Sequence, residues 1–426
     1  MASKIPKGKL ARGSIAGITA AKLGAGHLKH KVKRPFLSAK QHQKNTHKLN
    51  DESADILFKA LTKLRGTALK IAQMIGMEQG LLPDAYLQEL EKSFYRVPPL
   101  NRVLVRKLIM NAFNKSPEKL FAQFEPQAFA AASLGQVHRA THSNGDKLAV
   151  KVQYPGIGVS IESDLAIMRT LARGLPDTRL LLRSLQEIES RLKEEVDYCM
   201  EARNTQWFRQ NVTLSGINIP LVYPELSSQH VLTTEYFQGY HLHDWLATQP
   251  SRATRNKAAQ LLYDFFVHTS QDLCHLHADP NPGNYLFHED GSVSVLDFGC
   301  TRKLSEQSTA VFPDLLRAYI NDDAEALFSA YKNLGMSIEP FNAELYQRVL
   351  QPFGQWLALP FKTDSFDFGK HATYSQQGKA VIQNLNSAFK ADDINQEFIF
   401  HNRTIYGLVK IFERMGATVR LRHHWM

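Results

Sequence analysis

Three polar residues in the second half of the chain have the types and spacing needed for phosphoryl transfer. Asn284 follows Asp279 by five residues, and Asp297 follows Asn284 by thirteen. In such a set one carboxylate orients or deprotonates the attacking group, while an amide oxygen and a second carboxylate hold Mg²⁺ against the ATP phosphates. The proline- and glycine-containing stretch 280–283 predicts a tight loop, and the apolar stretch 293–296 predicts a strand that delivers Asp297.

A second group of residues upstream could hold the phosphates themselves. A strand is predicted at 148–153, after a turn at 144–146, and it carries Lys151, which matches the lysine that pairs with the α- and β-phosphates. Where a glycine-rich phosphate loop would be expected, the chain reads Ala130, Ala131, Ala132, Ser133. Alanine restricts the backbone more than glycine does, so a stiffer loop is predicted to cover the phosphates.

The carboxylate that orients Lys151 is expected in the helix-compatible stretch 184–210. Asp197 and Glu201, four residues apart, would lie on one face of a continuous helix, whereas Glu195 would point about 120° away from Glu201. We therefore expect Glu201 to serve Lys151 and Glu195 to face a different partner. The alternative for this helix taken alone is a solvated acidic face.

The alanine-rich loop, the pattern Glu-Val-Asp-Tyr-x-x-Glu-Ala at 195–202 and the catalytic loop together resemble the UbiB-type family of atypical kinases, also called AarF-domain kinases. The family's lysine-x-glycine-glutamine motif is matched by Lys70 and Gln73, with Ala72 in place of the glycine. Further segments extend the similarity over roughly residues 50–420: 152–156, 230–235 and 400–403.

This resemblance implies an α+β, two-lobed protein-kinase-like fold with an N-terminal helical extension and a mostly helical C-lobe. It implies ATP and Mg²⁺ as cofactors. It also implies that the helix carrying Lys70 and Gln73 lies across the active site as a gate, with Lys70 pairing with the region of Glu195 and Asp197. From the residues alone, Lys70 and Gln73 are better explained as a solvated face opposite an apolar helical stripe, and the unassigned partner of Glu195 is what favours the gate.

The predicted organisation has four parts. They are a basic tail at 1–50, a helical extension at 51–123, a kinase-like N-lobe at 124–238 and a helical C-lobe at 239–426. A chain of 426 residues with 43% hydrophobic content can bury one large core or two lobes. Adenine is expected at the hinge that follows the strand predicted at 230–235, against Glu235, Tyr236 and Phe237.

The positive charge of the chain is concentrated at its N-terminal end. Residues 1–50 hold twelve Lys or Arg and no acidic residue, and the whole chain carries +10, so the other 376 residues carry about −2. Such confinement argues against a nucleic-acid surface and suggests attraction to anionic lipid. The apolar run at 13–26 is too short to span a bilayer, so a peripheral anchor is expected. A disordered tail and a mitochondrial transit peptide are the alternatives.

The cysteines indicate a reducing compartment. Cys199, Cys274 and Cys300 have neither an even count nor metal-site spacing, so neither disulfides nor zinc are expected. His275 and His277 are interpreted as packing residues rather than ligands. No clear transmembrane helix is predicted. We expect a membrane-associated protein, on the cytoplasmic face in a bacterium or the matrix side in a mitochondrion.

The resemblance implies an ATPase or small-molecule kinase that supports the biosynthesis of ubiquinone or a related isoprenoid quinone. Its partners would be the membrane surface and quinone-biosynthesis enzymes or lipid precursors. The expected gate and stiff loop favour ATP hydrolysis over peptide phosphorylation. Two alternatives are a true protein or small-molecule kinase and a non-catalytic ATP-binding scaffold for membrane-bound biosynthetic enzymes. The intact set Lys151, Asp279, Asn284 and Asp297 argues against the scaffold.

Overall fold

In a computed structural model, the described residues are 14–15, 17–25, 30, 38–64, 71, 100–132, 134–172, 178–336, 342–388 and 395–425. The chain divides into two compact units, which are treated separately below. Unit 1 comprises Met1–Cys199 with Tyr223–Thr234, and unit 2 comprises Met200–Val222 with Glu235–Met426. The units group residues 200–222 with the C-terminal part of the chain, so they do not follow the predicted lobe boundaries, which remain a prediction.

Helices predominate among the described residues, and a helical segment at 17–25 precedes the numbered ones. The helices are α1 (Ala39–Leu64), α2 (Arg102–Phe113), α3 (Pro117–Leu120), α4 (Ile157–Ala172), α5 (Thr178–Glu195), α6 (Tyr198–Asn211), α7 (Leu242–Ala247), α8 (Arg252–Val267), α9 (Glu306–Asn321), α10 (Ala324–Asn333), α11 (Ala343–Leu345), α12 (Gln351–Ala358), α13 (Tyr374–Ala388) and α14 (Gln396–Met415). In the part of the chain that is described, none of them is long and apolar enough to cross a membrane.

The strands are short. They are β1 (Gln123–Phe124), β2 (Ala130–Ala132), β3 (Gly135–Thr141), β4 (Lys147–Gln153), β5 (Ile217–Asn218), β6 (Val231–Glu235), β7 (His275–His277), β8 (Tyr285–Phe287), β9 (Val293–Val295), β10 (Thr301–Lys303), β11 (Phe366–Asp367) and β12 (Thr418–Val419). The largest sheet has the order β1-β3-β4-β6, and β2 pairs with β3. The strands predicted at 148–153, 230–235 and 293–296 are confirmed within one or two residues.

In unit 1 the antiparallel pair β3–β4 presents Lys151 on the face away from the core. Leu148, Val150 and Val152 are fully buried, and they pack with residues of α2 in one apolar cluster, whereas Lys151 between them is only half-buried. Because side chains alternate across a strand, burial of the even positions directs Lys151 to the opposite face. The connecting turn contains Gly145 at φ 98°, a conformation that glycine adopts without steric cost.

In unit 2 two small ladders carry the predicted catalytic residues. β8 pairs with β9 antiparallel, and β7 pairs with β10 antiparallel. The core around them is built from the buried faces of α8, α9 and α14, among other elements. α14 begins at the cap Asn395, whose side chain accepts from the amides of Glu397 and Phe398, and it ends at Gly416 with φ 56°. The helix predicted around 400–403 lies within α14.

Candidate active site

The catalytic segment, residues 277–299, begins with a loop that brings Asp279 and Asn284 together. The Asn284 Nδ2 donates to the Asp279 carboxylate Oδ2 at 2.7 Å and to the Asp279 carbonyl at 3.2 Å. Asn281 closes the loop, because its Oδ1 accepts from the Gly283 amide at 2.9 Å. The predicted proximity of the carboxylate and the amide is therefore present, and it is enforced by a side-chain hydrogen bond within one tight turn.

Asp297 lies at the end of β9, where contacts on both sides fix its backbone. Its Oδ1 accepts from the Gly299 amide at 2.9 Å. Its carbonyl accepts from the Nε2 of His277, a buried residue on β7, at 2.7 Å. The neighbouring β8–β9 register places Tyr285 opposite Val295, so the strand after the catalytic loop runs directly beside the one that delivers Asp297. The ladder therefore sets the spacing between Asn284 and Asp297.

Helix α6 packs on the other side of this segment. The Asn204 Nδ2 donates to the Phe298 carbonyl at 3.0 Å. Glu201 is 3% exposed, and its Oε2 lies 3.7 Å from the point that a Cβ on Gly299 would occupy. The same hypothetical Cβ would lie 3.1 Å from the Asp297 Oδ1. The absence of a side chain at Gly299 therefore lets the two carboxylate-bearing elements approach the same backbone.

In unit 1, strands β2 and β3 pair antiparallel, and we call this pair the alanine hairpin; within it Ala131 pairs with Gln136. A Cβ on Gly135 would lie 2.5 Å from the Val152 carbonyl oxygen and 2.9 Å from the Tyr198 hydroxyl, so only glycine fits without a shift. The Lys151 Nζ lies 5.0 Å from the centre of the Tyr198 ring, a cation–π distance. Ser133, which was predicted to help cover the phosphates, lies outside the described residues.

The predicted pairing of Lys151 with Glu201 stays a prediction, since Lys151 belongs to unit 1 and Glu201 to unit 2. At the predicted hinge, the Glu235 carboxylate accepts from the Leu221 amide at 3.2 Å and lies 3.6 Å from the Arg209 Nη1. Its side chain therefore holds unit 2 together locally. Tyr236 and Phe237 are half-buried beside it, and their contact with adenine also stays a prediction.

The stretch 184–210 is not one continuous helix, so this prediction was wrong. α5 ends at Glu195 and α6 begins at Tyr198. On β4, the Gln153 Nε2 donates to the Val196 carbonyl at 2.9 Å. In a continuous helix this carbonyl would accept from the amide four residues later, and Gln153 takes that place. The helix is therefore interrupted by a contact with the strand that carries the predicted phosphate-binding lysine.

The predicted gate falls only partly within the described residues. Glu195 ends α5 and Asp197 lies in the break, so the expected 120° angle between Glu195 and Glu201 does not apply. Asp197 and Glu201 likewise do not share a helical face, because only Glu201 lies in α6. Lys70 and Gln73 lie outside the described residues, and their pairing with Glu195 and Asp197 stays a prediction.

Burial favours the uncharged forms of two side chains near the catalytic loop, His275 and Tyr285. Burial, reinforced by the nearby charge of Lys303, lowers the pKa of His275 to about 4. Burial, with the charge of Asp279 as a smaller cause, raises the pKa of Tyr285. Both His275 and His277 are buried on β7 among aromatic rings, which agrees with their interpretation as packing residues.

Comparisons with known proteins agree with this geometry. The ABC1 atypical kinase-like domain matches residues 92–331, more than half of the chain. The mitochondrial atypical kinase COQ8 of Schizosaccharomyces pombe is 29% identical over 435 residues, covering 99% of this chain and 69% of that protein. The mitochondrial atypical kinase COQ8B of Rattus norvegicus is 28% identical over 382 residues, covering 87% and 71%. The chain belongs to the ABC1 atypical kinase-like family.

Family membership confirms the UbiB-type resemblance and identifies the chain as an enzyme of the atypical-kinase class. A solved structure, the erythromycin complex of Rv3197 from Mycobacterium tuberculosis, aligns with a TM-score of 0.60 at 21% identity, covering 90% of this chain and 97% of that one. This likeness shows the fold alone. It confirms the predicted kinase-like α+β class.

The residues of the ABC1 catalytic segment fit Mg²⁺. Because the Asn284 Nδ2 donates to Asp279, the acceptor end of that amide, Oδ1, remains for another partner. Among the described residues, no group of three or more His, Cys, Asp or Glu could hold a metal by itself. Mg²⁺ is usually held by one or two carboxylates together with substrate phosphates and water. Asn284 and Asp297 therefore suit an Mg²⁺ ion whose other ligands are phosphate oxygens and water.

Sequence reasoning missed three residues that position this ABC1-family site. His277 binds the carbonyl of Asp297, and Asn204 binds the carbonyl of the next residue, Phe298. Gly407, inside α14, lies against the Pro280 ring, which a Cβ at Gly407 would overlap. A glycine in a helix interior costs about 1 kcal/mol relative to alanine. A glycine inside a predicted helix could therefore have indicated close packing at Gly407, whereas nothing in the local sequence distinguishes Asn204 from a surface asparagine.

Proposed function

We propose that this chain binds ATP with Mg²⁺ and transfers the γ-phosphoryl group, with water as the usual acceptor, in support of isoprenoid quinone biosynthesis. The observation that carries the proposal is the hydrogen bond between Asn284 and Asp279 within one loop, next to the strand that ends at Asp297. In the proposal, Asp279 is the proton-accepting carboxylate, and Asn284 and Asp297 are the oxygen ligands of Mg²⁺. Membership of a family whose relatives are named atypical kinases supports the same chemistry.

Each residue has a defined role in this proposal. Lys151 holds the α- and β-phosphates, Glu201 orients Lys151, and the backbone of residues 130–133 covers the phosphates. Asp279 orients the attacking oxygen and accepts its proton. Asn284 and Asp297 hold Mg²⁺, which, when bound, neutralises charge on the phosphates. Fixing these donors and acceptors before the nucleotide arrives lowers the barrier mainly by positioning and electrostatics.

The occluding helix is part of the proposal and rests on the family resemblance. The gate would consist of Lys70 and Gln73 opposite Glu195 and Asp197, in the place where a peptide substrate would otherwise bind. Such an arrangement favours hydrolysis coupled to a conformational change. Lys70→Ala should then raise peptide or small-molecule access and change turnover without changing Mg²⁺-dependent nucleotide affinity.

The test is ATP turnover by the purified full chain, with and without anionic liposomes and phenolic quinone precursors. We expect phosphate release without a labelled acceptor, and loss of that release in Asp279→Asn. Glu289→Gln, an exposed carboxylate in the same region, is the matched control and should keep the parental rate. If the chain binds nucleotide but shows no turnover in any of these conditions, the non-catalytic ATP-binding scaffold would be favoured over the enzyme.

A protein-kinase activity is the second candidate, because one relative carries that name. The probable serine/threonine-protein kinase abkA of Dictyostelium discoideum is 27% identical over 352 residues, covering 78% of this chain and 62% of that protein. Transfer of label from γ-labelled ATP to a protein, at a rate matching ATP consumption, would favour this candidate. Label found only in inorganic phosphate would favour hydrolysis.

Membrane association of the basic tail is proposed from charge. The twelve cationic residues of the segment 1–50 would attract anionic lipid, and the naming of two relatives as mitochondrial suggests a matrix-side location. Deletion of residues 1–34 should weaken binding to vesicles containing anionic lipid, and added salt should weaken binding of the parent. Binding to neutral vesicles serves as the control. Equal binding of the deleted and full chains to anionic vesicles would show that the tail is not the anchor.

A further inference from the structure

Asn204 makes a contact that its own helix does not require. Its Nδ2 donates to the Phe298 carbonyl, 94 residues away along the chain, at 3.0 Å. Phe298 is fully buried and lies between Asp297 and Gly299, so its carbonyl belongs to the loop that presents the predicted metal ligand. A buried carbonyl without a donor costs free energy, and in this loop Asn204 supplies the donor.

The same face of α6 carries a second attachment to the catalytic segment and the strand that leads into it. Phe208, one turn after Asn204, is buried, and its ring centre lies 4.8 Å from that of Phe298 and 4.9 Å from that of His275. The Trp207 ring also packs against that of His275, at a tilt of 51° and with 4.4 Å between the ring centres. Positions 204, 207 and 208 are neighbours on a helix surface, so one stripe of α6 contacts both β7 and the loop after β9.

A third attachment comes through His277. Its ring packs edge-on against Phe298, with 5.3 Å between ring centres, and its Nε2 donates to the Asp297 carbonyl at 2.7 Å. The carbonyls of two consecutive residues, Asp297 and Phe298, are thus each held by a side chain from a different element. This fixes the peptide planes on both sides of Phe298, the first of which directly follows Asp297, and leaves the loop little freedom to rotate.

We propose that Asn204 is a positioning residue that joins α6 to the Asp297 loop, so that the helix bearing Glu201 and the metal-binding loop move as one body. The part of this proposal that concerns Mg²⁺ binding by Asp297 rests on the proposed function. The segment Met200–Val222, which includes Asn204, groups with unit 2, and unit 2 also contains that loop. Asn204 preorganises Asp297 for the ion, and its loss should weaken metal binding more than nucleotide binding at saturating Mg²⁺.

The test compares two asparagines of the same helix. Asn204→Asp keeps the shape and removes the N–H donor. Asn211→Asp is the matched control, because the Asn211 Nδ2 also donates to a backbone carbonyl, that of Trp207 at 2.7 Å, but within α6 itself. We expect Asn204→Asp to raise about three- to tenfold the Mg²⁺ concentration giving half-maximal binding of a non-hydrolysable ATP analogue, the range for one lost hydrogen bond. Asn211→Asp should leave that concentration unchanged.

A second readout needs neither nucleotide nor metal. Amide hydrogen exchange of the peptide covering 296–303 should accelerate in Asn204→Asp and in the smaller Asn204→Ala, but not in Asn211→Asp. In the parent, amides of α6 after Glu201 and those of the loop should open with equal protection. Unequal protection in the parent, or equal exchange in the 204 and 211 variants, would overturn the coupling. If the parent shows no Mg²⁺-dependent nucleotide binding while exchange behaves as stated, the proposed function fails and the coupling stands.

Discussion

The catalytic segment of unit 2 and the alanine hairpin of unit 1 are positioned by different kinds of contact. In unit 2, the side chains of Asn204, His277 and Asn284 bind backbone or carboxylate atoms elsewhere in the segment. In unit 1, Ala130–Ala132 are held by strand pairing with Val137, Gln136 and Gly135, through backbone alone. The first arrangement depends on the identity of each side chain, and the second depends mainly on backbone conformation.

Because of this difference, the catalytic segment and the alanine hairpin should tolerate substitutions to different degrees. Removing one side-chain donor or ligand from the catalytic segment leaves a buried group unsatisfied or an ion without a ligand, both costly. Changing a hairpin alanine alters only how freely the backbone moves, an effect of about 1 kcal/mol or less. We therefore expect large effects of substitutions in the catalytic segment and small effects of substitutions at the hairpin alanines. Three predictions test this contrast, and a fourth compares a buried histidine of each unit.

The largest effect is expected for Asp297→Asn, which removes a predicted metal-ligand charge. Mg²⁺-dependent binding of an ATP analogue should weaken by on the order of 100-fold or more, measured by calorimetry across Mg²⁺ concentrations. Asp290→Asn is the control, since the Asp290 Oδ1 only accepts from Ser292 within its own turn at 2.7 and 2.9 Å. Unchanged affinity in Asp297→Asn would remove this residue from the site.

The next effect concerns the helix behind the catalytic loop. Gly407→Ala places a methyl group where the Pro280 ring lies, so Pro280 and the adjacent Asp279 must shift. We expect kcat to fall about tenfold and the free energy of unfolding to fall by about 1–3 kcal/mol. Gly378→Ala is the matched control, because its Cβ would overlap the Trp356 ring, away from the catalytic loop. It should lose stability and keep the kcat of the folded molecules; equal kcat losses would contradict the role of Pro280.

A third prediction contrasts buried histidines of the two units under acid. Burial lowers the pKa of His401 to about 3, and among the described residues its Nε2 has no hydrogen-bond partner. Because the unfolded chain takes up this proton near pH 6.5, stability should be lost as pH falls from 6.5 toward 3, by up to about 1.4 kcal/mol per pH unit. His401→Phe should remove that slope in urea unfolding measured from pH 7 to pH 4.

The matching residue in unit 1 is His138, whose pKa burial also lowers. Its ring is bonded on both sides, to the Glu125 carbonyl at 2.9 Å and the Gln136 side chain at 2.8 Å. His138→Phe should therefore cost about 1–3 kcal/mol already at pH 7, by leaving these groups unsatisfied. Similar behaviour of the 138 and 401 variants at pH 7 would contradict the distinction.

The smallest effect is expected for Ala131→Gly in the hairpin. Greater backbone freedom should change the KM for ATP or the turnover number by about two- to fivefold, with little change in stability. Ala149→Gly is the control. Ala149 lies on β4 of the same sheet, outside the alanine hairpin, where it pairs with Arg139 of β3. Identical kinetics in all three proteins would show that the alanines do not tune the nucleotide site.

The elements predicted best from the sequence are those whose signals are local. In the strand around Lys151 buried positions alternate from 148 to 152, and the turn at Gly145 and the loop at Asp279–Asn284 have their own turn residues. The family motifs indicated that this strand, this turn and this loop belong to one kinase-like fold. Local patterns therefore located the catalytic segment and the carrier of Lys151, although they do not by themselves assign roles.

The features that the sequence did not reveal depend on distant partners. The break after Glu195 comes from Gln153, 43 residues earlier, and the Asn204 contact spans 94 residues. Gly407 is small because Pro280, on a different element, lies against it. Helical periodicity predicts which face of a helix is buried. It does not predict which side chain of a distant element will donate a hydrogen bond to a given backbone carbonyl.

The interruption between α5 and α6 makes the orientation of the second helix independent of the length of the first. In one continuous helix, inserting or deleting a residue anywhere in 178–195 would rotate Glu201 and Asn204 by 100° about the axis. Because α6 starts afresh at Tyr198, such a change would instead be absorbed at residues 196–197. Related chains could therefore vary α5 in length while keeping the azimuth of Glu201.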